Sequence, residues 1–142
     1  MAEISVPMIL DAITVALDRV SPNANIYIDK VEQGLEDGDI LVRLINIEYL
    51  RRGAGDFQRV VPVFDIIYFP RAGNKDCMAM GDTLSDKLAV IELSTKDIVR
   101  AITKSFEIID GALHFKVSYP YNTIKYQAEE DMAKVVLINR GN

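Results

Sequence analysis

Between Phe106 and Tyr119 the apolar residues keep strict time on both sides of one dipeptide. Phe106 and Ile108 lead into Asp110-Gly111, and Leu113, Phe115, Val117 and Tyr119 follow at every second position. A two-residue Asp-Gly connection between alternating segments predicts a type I′ turn, because that turn needs positive φ at both central positions and its twist matches paired strands. The chain must therefore build an antiparallel sheet with one apolar face.

The remaining periodicities supply its neighbours. Val6, Ile9, Leu10, Ile13, Leu17 and Val20 recur at helical spacing behind Ser5, an N-cap type, and Pro7, which the first turn tolerates. A helix over about 6–20 is expected, stopped by Ser21-Pro22. Ile26–Ile28 reads as a short strand. Two long strands follow, over about 39–50 and 58–69, joined by the loop-like RRGAGDFQ at 51–58. The first is apolar on both parities, so cover on both faces is expected, from helices or from a neighbouring subunit. Pro62 places its part of the second at a sheet edge or a bulge. After the loop 70–75, Cys77, Met80, Leu84, Leu88 and Ile91 share one stripe of a second helix, about 77–93, weakened at Gly81. The tail 126–142 is ambiguous: Val135–Ile138 favour a strand, whereas Ala128–Lys134 fit a helical turn. The fold class expected is α+β, a mainly antiparallel sheet with an N-terminal helix and a central helix packed on one face, in a single domain over 1–142.

Composition excludes several function classes. A net charge of −5 argues against sequence-specific DNA binding, which relies on clustered Lys and Arg. One cysteine, Cys77, permits no intrachain disulfide, and one Cys with one His makes no structural zinc site. No apolar run reaches the length of a membrane helix, and MAEISVPMIL lacks the plan of a secretory signal, so a soluble intracellular product is expected.

The candidate chemistry is thin. His114 falls on the polar parity with Lys116 and Ser118 and reads as surface decoration, and Cys77 reads as a small packed hydrophobe. Glu36, Asp37 and Asp39 crowd one turn and Glu129, Glu130 and Asp131 another, as solvated acidic runs do. Tyr27, Phe64, Tyr68, Phe69, Tyr119 and Tyr121 lack the basic groove of a nucleic-acid stacking platform, so core and subunit-contact roles are expected. RRGAGD lacks the spacing of a phosphate loop. No catalytic, cofactor or metal residue is assigned.

IYIDKVEQG at 26–34, the strand 39–50, Arg51-Arg52, FDIIYFP at 64–70, Leu84 and Leu88, and the Asp110-Gly111 hairpin with Leu113 and Phe115 together resemble the tail terminator (tail completion) family of tailed phages, prophages and tail-like particles of Gram-positive bacteria. The resemblance implies a structural virion protein. It would form a hexameric ring on the head-proximal end of the tail tube, end tube growth, and meet the head connector and, in contractile tails, the sheath. It implies assembly in the host cytoplasm, a place at the neck end of the tail and no catalytic residues. DNA would pass the bore without specific binding, along a lining for which either acidic cluster is a candidate. The contacts expected for tube or neighbouring subunit are Arg51, Arg52, Asp56 and Phe57 in one loop and Arg71 and Lys75 in the other. A ligand- or peptide-binding α+β module is the alternative.

Overall fold

A computed structural model describes residues 3–30, 34–51 and 57–124. The order is α1 (Val6–Val20), β1 (Ile26–Ile28), β2 (Ile40–Arg51), β3 (Phe57–Tyr68), α2 (Gly73–Lys87), β4 (Val90–Glu92), β5 (Ile98–Arg100), β6 (Thr103–Ile109), β7 (Ala112–Ser118) and β8 (Tyr121–Ile124). The main sheet runs β1-β2-β3-β7-β6, with β8 also paired to β3. Only the β1–β2 pair is parallel among the described strands. The expected fold class holds.

Alternation sorts the sheet into two faces. Ile40, Val42, Phe64, Ile66, Leu113, Phe115 and Val117 point toward the helices, where Ile9, Ile13 and Leu17 of α1 and Cys77 and Leu84 of α2 join them in one core. Both helices therefore cover the same face. Full burial of each such aliphatic or aromatic side chain contributes roughly 1.5–3 kcal/mol. Tyr119, wholly buried, donates its hydroxyl to the carbonyl of Leu88 (2.6 Å), which ties the end of α2 to the strand that follows the hairpin. Burial also pushes the Tyr119 phenol above its ordinary range.

The hairpin forms as its sequence demands: Asp110 (φ 50) and Gly111 (φ 78) make the turn, and Phe106 pairs with Phe115 and Ile108 with Leu113. Pro62 lies inside β3, the central strand, and is buried. It is tolerated because it falls between the two stretches of β3 that pair with β7 and β8, and because it opposes Ile47 just past a bulge at Leu44/Asn46 in β2. Pro62 is thus neither at a sheet edge nor at the bulge itself, which lies one pair away in β2.

Three expectations need correction. The second helix spans 73–87 rather than 77–93. Its early start has a cause: Asp76 accepts the N–H groups of Arg71 (2.7 Å) and Ala72 (3.3 Å) and the Tyr68 hydroxyl (2.8 Å), so its carboxylate satisfies donors at the helix entry. Ile91, expected on the helix stripe, is buried in β4, half of a small hairpin with β5. Finally, β2 is covered on both faces only through Val42; residues 43–46 and 48–51 are exposed and Ile47 half-buried.

Candidate assembly surfaces

The candidate contact residues occur at both ends of β3. Arg51 and Phe57 are exposed where β2 ends and β3 begins, while Arg52 and Asp56 lie outside the described residues. Arg71 and Lys75 are exposed beyond the other end of the same strand. Twelve strand residues separate the two groups, a span of about 40 Å at 3.4 Å per residue. No single contact holds both.

The end that carries Arg71 is built from two loops that lace together. The Gly38 N–H donates to the Phe69 carbonyl (2.6 Å), and the Phe69 N–H to that of Asp39 (3.0 Å). Gly38 has φ +90, and the Arg71 guanidinium occupies the space a Cβ there would need, so glycine is required twice over. Asp39 is not a solvated acid of the turn: it is buried, and its carboxylate accepts the Glu36 N–H (2.9 Å). Glu36 and Asp37 are exposed. Of the second acidic cluster, Glu129, Glu130 and Asp131 lie outside the described residues, as does the whole tail 126–142. At the mouth of this end, burial would raise the Asp76 carboxyl, but the donors from Arg71, Tyr68 and Ala72 outweigh it and hold its pKa below the usual value. Tyr68, buried and donating to that carboxylate, is pushed up to about 12.

The sheet face away from the helices carries the second notable group. Asp65 is buried there, with Arg43 Nη2 at 3.7 Å and His114 Nδ1 at 3.1 Å from Oδ2, and Lys116 is its partner in register on β7. Since a carboxylate only accepts, Nδ1 carries the proton. Asp65 Oδ1 has no hydrogen-bond partner among the described residues. His114 is thus not surface decoration; it is half-buried and engaged. Sequence reading missed Asp65, although a lone carboxylate inside the apolar FDIIYFP was a usable signal. Cys77 is buried, and burial pushes its thiol up, which suits packing rather than reactivity.

A groove of about 420 Å³ runs between α1 and the β4–β5 hairpin, lined by apolar residues with Arg19, Lys87 and Glu92. Among the described residues, no group of three or more His, Cys, Asp or Glu is placed to hold a metal ion. No described helix is long and apolar enough to cross a membrane. The six aromatic residues considered for stacking are all buried or half-buried.

Among the described residues the surface offers unpaired strand edge and exposed apolar side chains: Leu44, Ile45, Tyr49 and Leu50 on β2, Phe57 on β3, Phe106 and Ile109 on β6 and Ile124 on β8. Open edges and exposed apolar side chains are features that contacts between chains commonly use. Residues 8–131 match the family model described as phage tail terminator protein, and the chain belongs to that family. It is accordingly a structural component of a phage tail, in a family that is not known as enzymatic. No curated protein matches the chain.

Proposed function

We propose that the protein closes into a hexameric ring on the head-proximal end of the tail tube, ends tube polymerisation and presents its other side to the head connector. The observation that carries this reading is family membership across 8–131. It is supported by a sheet whose edge strands are open among the described residues and by exposed groups at opposite ends of β3, Arg51 and Phe57 at one and Arg71 and Lys75 at the other. A terminator needs two such ends, one for tube and one for neck. Assembly takes place in the host cytoplasm, and in a contractile particle the last sheath ring is a further partner. Residues 1–142 act as one domain.

DNA has to cross the ring. With a net charge of −5 per copy, an acidic or neutral bore repels phosphate weakly over about 8–10 Å at physiological salt and favours passage without sticking. Glu36 and Asp37 remain candidates for that lining, together with Glu129, Glu130 and Asp131. Asp39 is withdrawn, since its carboxylate is used inside the fold.

The test is tube assembly from the tube protein of the same particle, with and without this protein. The expected outcome is bounded tubes carrying a ring of defined mass at one end, seen by electron microscopy and multi-angle light scattering. Tubes that grow unchecked, or that bind only single copies, would overturn the reading.

A further inference from the structure

We infer that the ring closes by strand pairing: β6 of one copy joins the open stretch of β2 in the next, antiparallel, so that the sheet continues from copy to copy. This rests on the ring reading above and names the surface that makes it. The two edges are unlike, and each is open among the described residues. β1 covers the outer edge of β2 only at Ile40–Val42, so Arg43–Arg51, paired with β3 on the inner side, have no partner strand on the outer side among the described residues. At the other margin, among the described residues, β6 pairs only with β7, so the outer row of Thr103–Ile109 has no partner strand there.

Direction, length and chemistry agree. From β2 through β3 and β7 to β6, every pair is antiparallel. Four alternating strands put β6 opposite in sense to β2, so a second copy placed edge to edge in the same orientation offers an antiparallel partner. The seven residues of β6 fit within the uncovered part of β2. On the helix side β2 shows Leu44, Ile47 and Tyr49, because the bulge at Leu44/Asn46 shifts the alternation by one. On the same side β6 shows Lys104, Phe106 and Ile108.

In the register that uses all of β6, Leu44 meets Ile108, Ile47 meets Phe106 and Tyr49 meets Lys104. On the opposite side Glu48 meets Ser105 and Asn46 meets Glu107, with Arg43 diagonal to Glu107, an attractive cross-strand pair. Leu44 at 38%, Tyr49 at 59% and Phe106 at 37% exposed would then lose water, and both rows of backbone donors and acceptors would be satisfied. Two different edges in contact form a heterologous joint, which propagates around a ring instead of ending at a dimer.

The experiment places Glu48→Cys and Ser105→Cys in the full chain with Cys77→Ala, and applies a short bis-maleimide to protein bound at tube ends. Both positions are exposed, so the fold tolerates them. Within one copy they lie on strands three spacings apart, about 14 Å, beyond a shorter linker. The double variant should give a ladder of covalent multimers on denaturing gels. Mixed single variants should give dimers, and neither single variant alone should link. Linking by one single variant alone would show a two-fold joint and overturn the inference. So would capped tubes whose full-length rings never link; if such rings link only after removal of residues 125–142, the edge belongs to the chain's own C-terminal segment. Capped tubes without links defeat this inference and leave the function standing; tubes that bind no oligomer defeat both.

Discussion

Among the described residues, Asp65 is a buried carboxylate with one oxygen left without a hydrogen-bond partner. Its side chain is 6% exposed, whereas those of Arg43 and His114 are 46% and 20% exposed. The two sides of this cluster should respond unequally to mutation. His114→Ala leaves a buried carboxylate with only Arg43 at 3.7 Å and should cost about 1–3 kcal/mol. Asp65→Asn leaves Arg43 and His114, both reachable by water, without their carboxylate partner and should cost about 1 kcal/mol or less. Urea denaturation of both variants checks the order; equal losses would mean that the carboxylate is better solvated than its burial indicates. Parity alone put His114 on the polar side correctly, but parity is blind to depth. Asp65 sits on that same polar side, and what buries it is its position on the central strand, flanked by β2 and β7, which no local pattern reveals.

At the scale of elements, the Asp110-Gly111 hairpin and α1 were readable because turn chemistry and helical spacing are local. The start of α2 was not, because its cap runs backward from Asp76 to Arg71, Ala72 and Tyr68. The β4–β5 hairpin was hidden for a related reason: Ile91 continues the α2 stripe by spacing, and the turn at Lys96 (φ 75) contains no glycine to announce it. A carboxyl held below its usual pKa contributes stability that is complete above the unfolded value near 3.9 and vanishes as pH falls through the lower folded value. The stability gap between wild type and Asp76→Ala should therefore be full at neutral pH and close in acid, as urea midpoints across that range would show. A gap independent of pH would mean that Asp76 acts by packing.

Gly81 gives a second element-scale test. In an open helix Gly→Ala gains about 1 kcal/mol. Here the new Cβ would lie 2.6 Å from Cε2 of Phe106, so Gly81→Ala should lose about 1 kcal/mol instead. With Phe106→Leu already in place, the same change should stabilise. Thermal unfolding of the four proteins in this cycle gives the sign directly.

Across the whole molecule, the sequence identified exposed basic residues in two loops but not the distance between them, since only the folded β3 shows that its ends are about 40 Å apart. That separation puts the two candidate groups at opposite ends of β3. Arg51 stands at the end where β2 hands over to β3, and Lys75 in the first turn of α2 at the other end; among the described residues neither has a salt-bridge partner. Reversing either charge should leave the thermal midpoint close to wild type, because exposed substitutions away from packed groups usually change stability by less than about 0.5 kcal/mol. Their effects on assembly should separate. If tube and connector dock at opposite ends, Arg51→Glu weakens binding to one of them and Lys75→Glu to the other, each by roughly the tenfold that loss of about 1.4 kcal/mol produces. Co-sedimentation with tubes and with purified connector, measured for both variants, distinguishes the cases. Two variants that lose the same partner and keep the other would show that one end of the sheet makes no contact, and that the ring is bound on a single side.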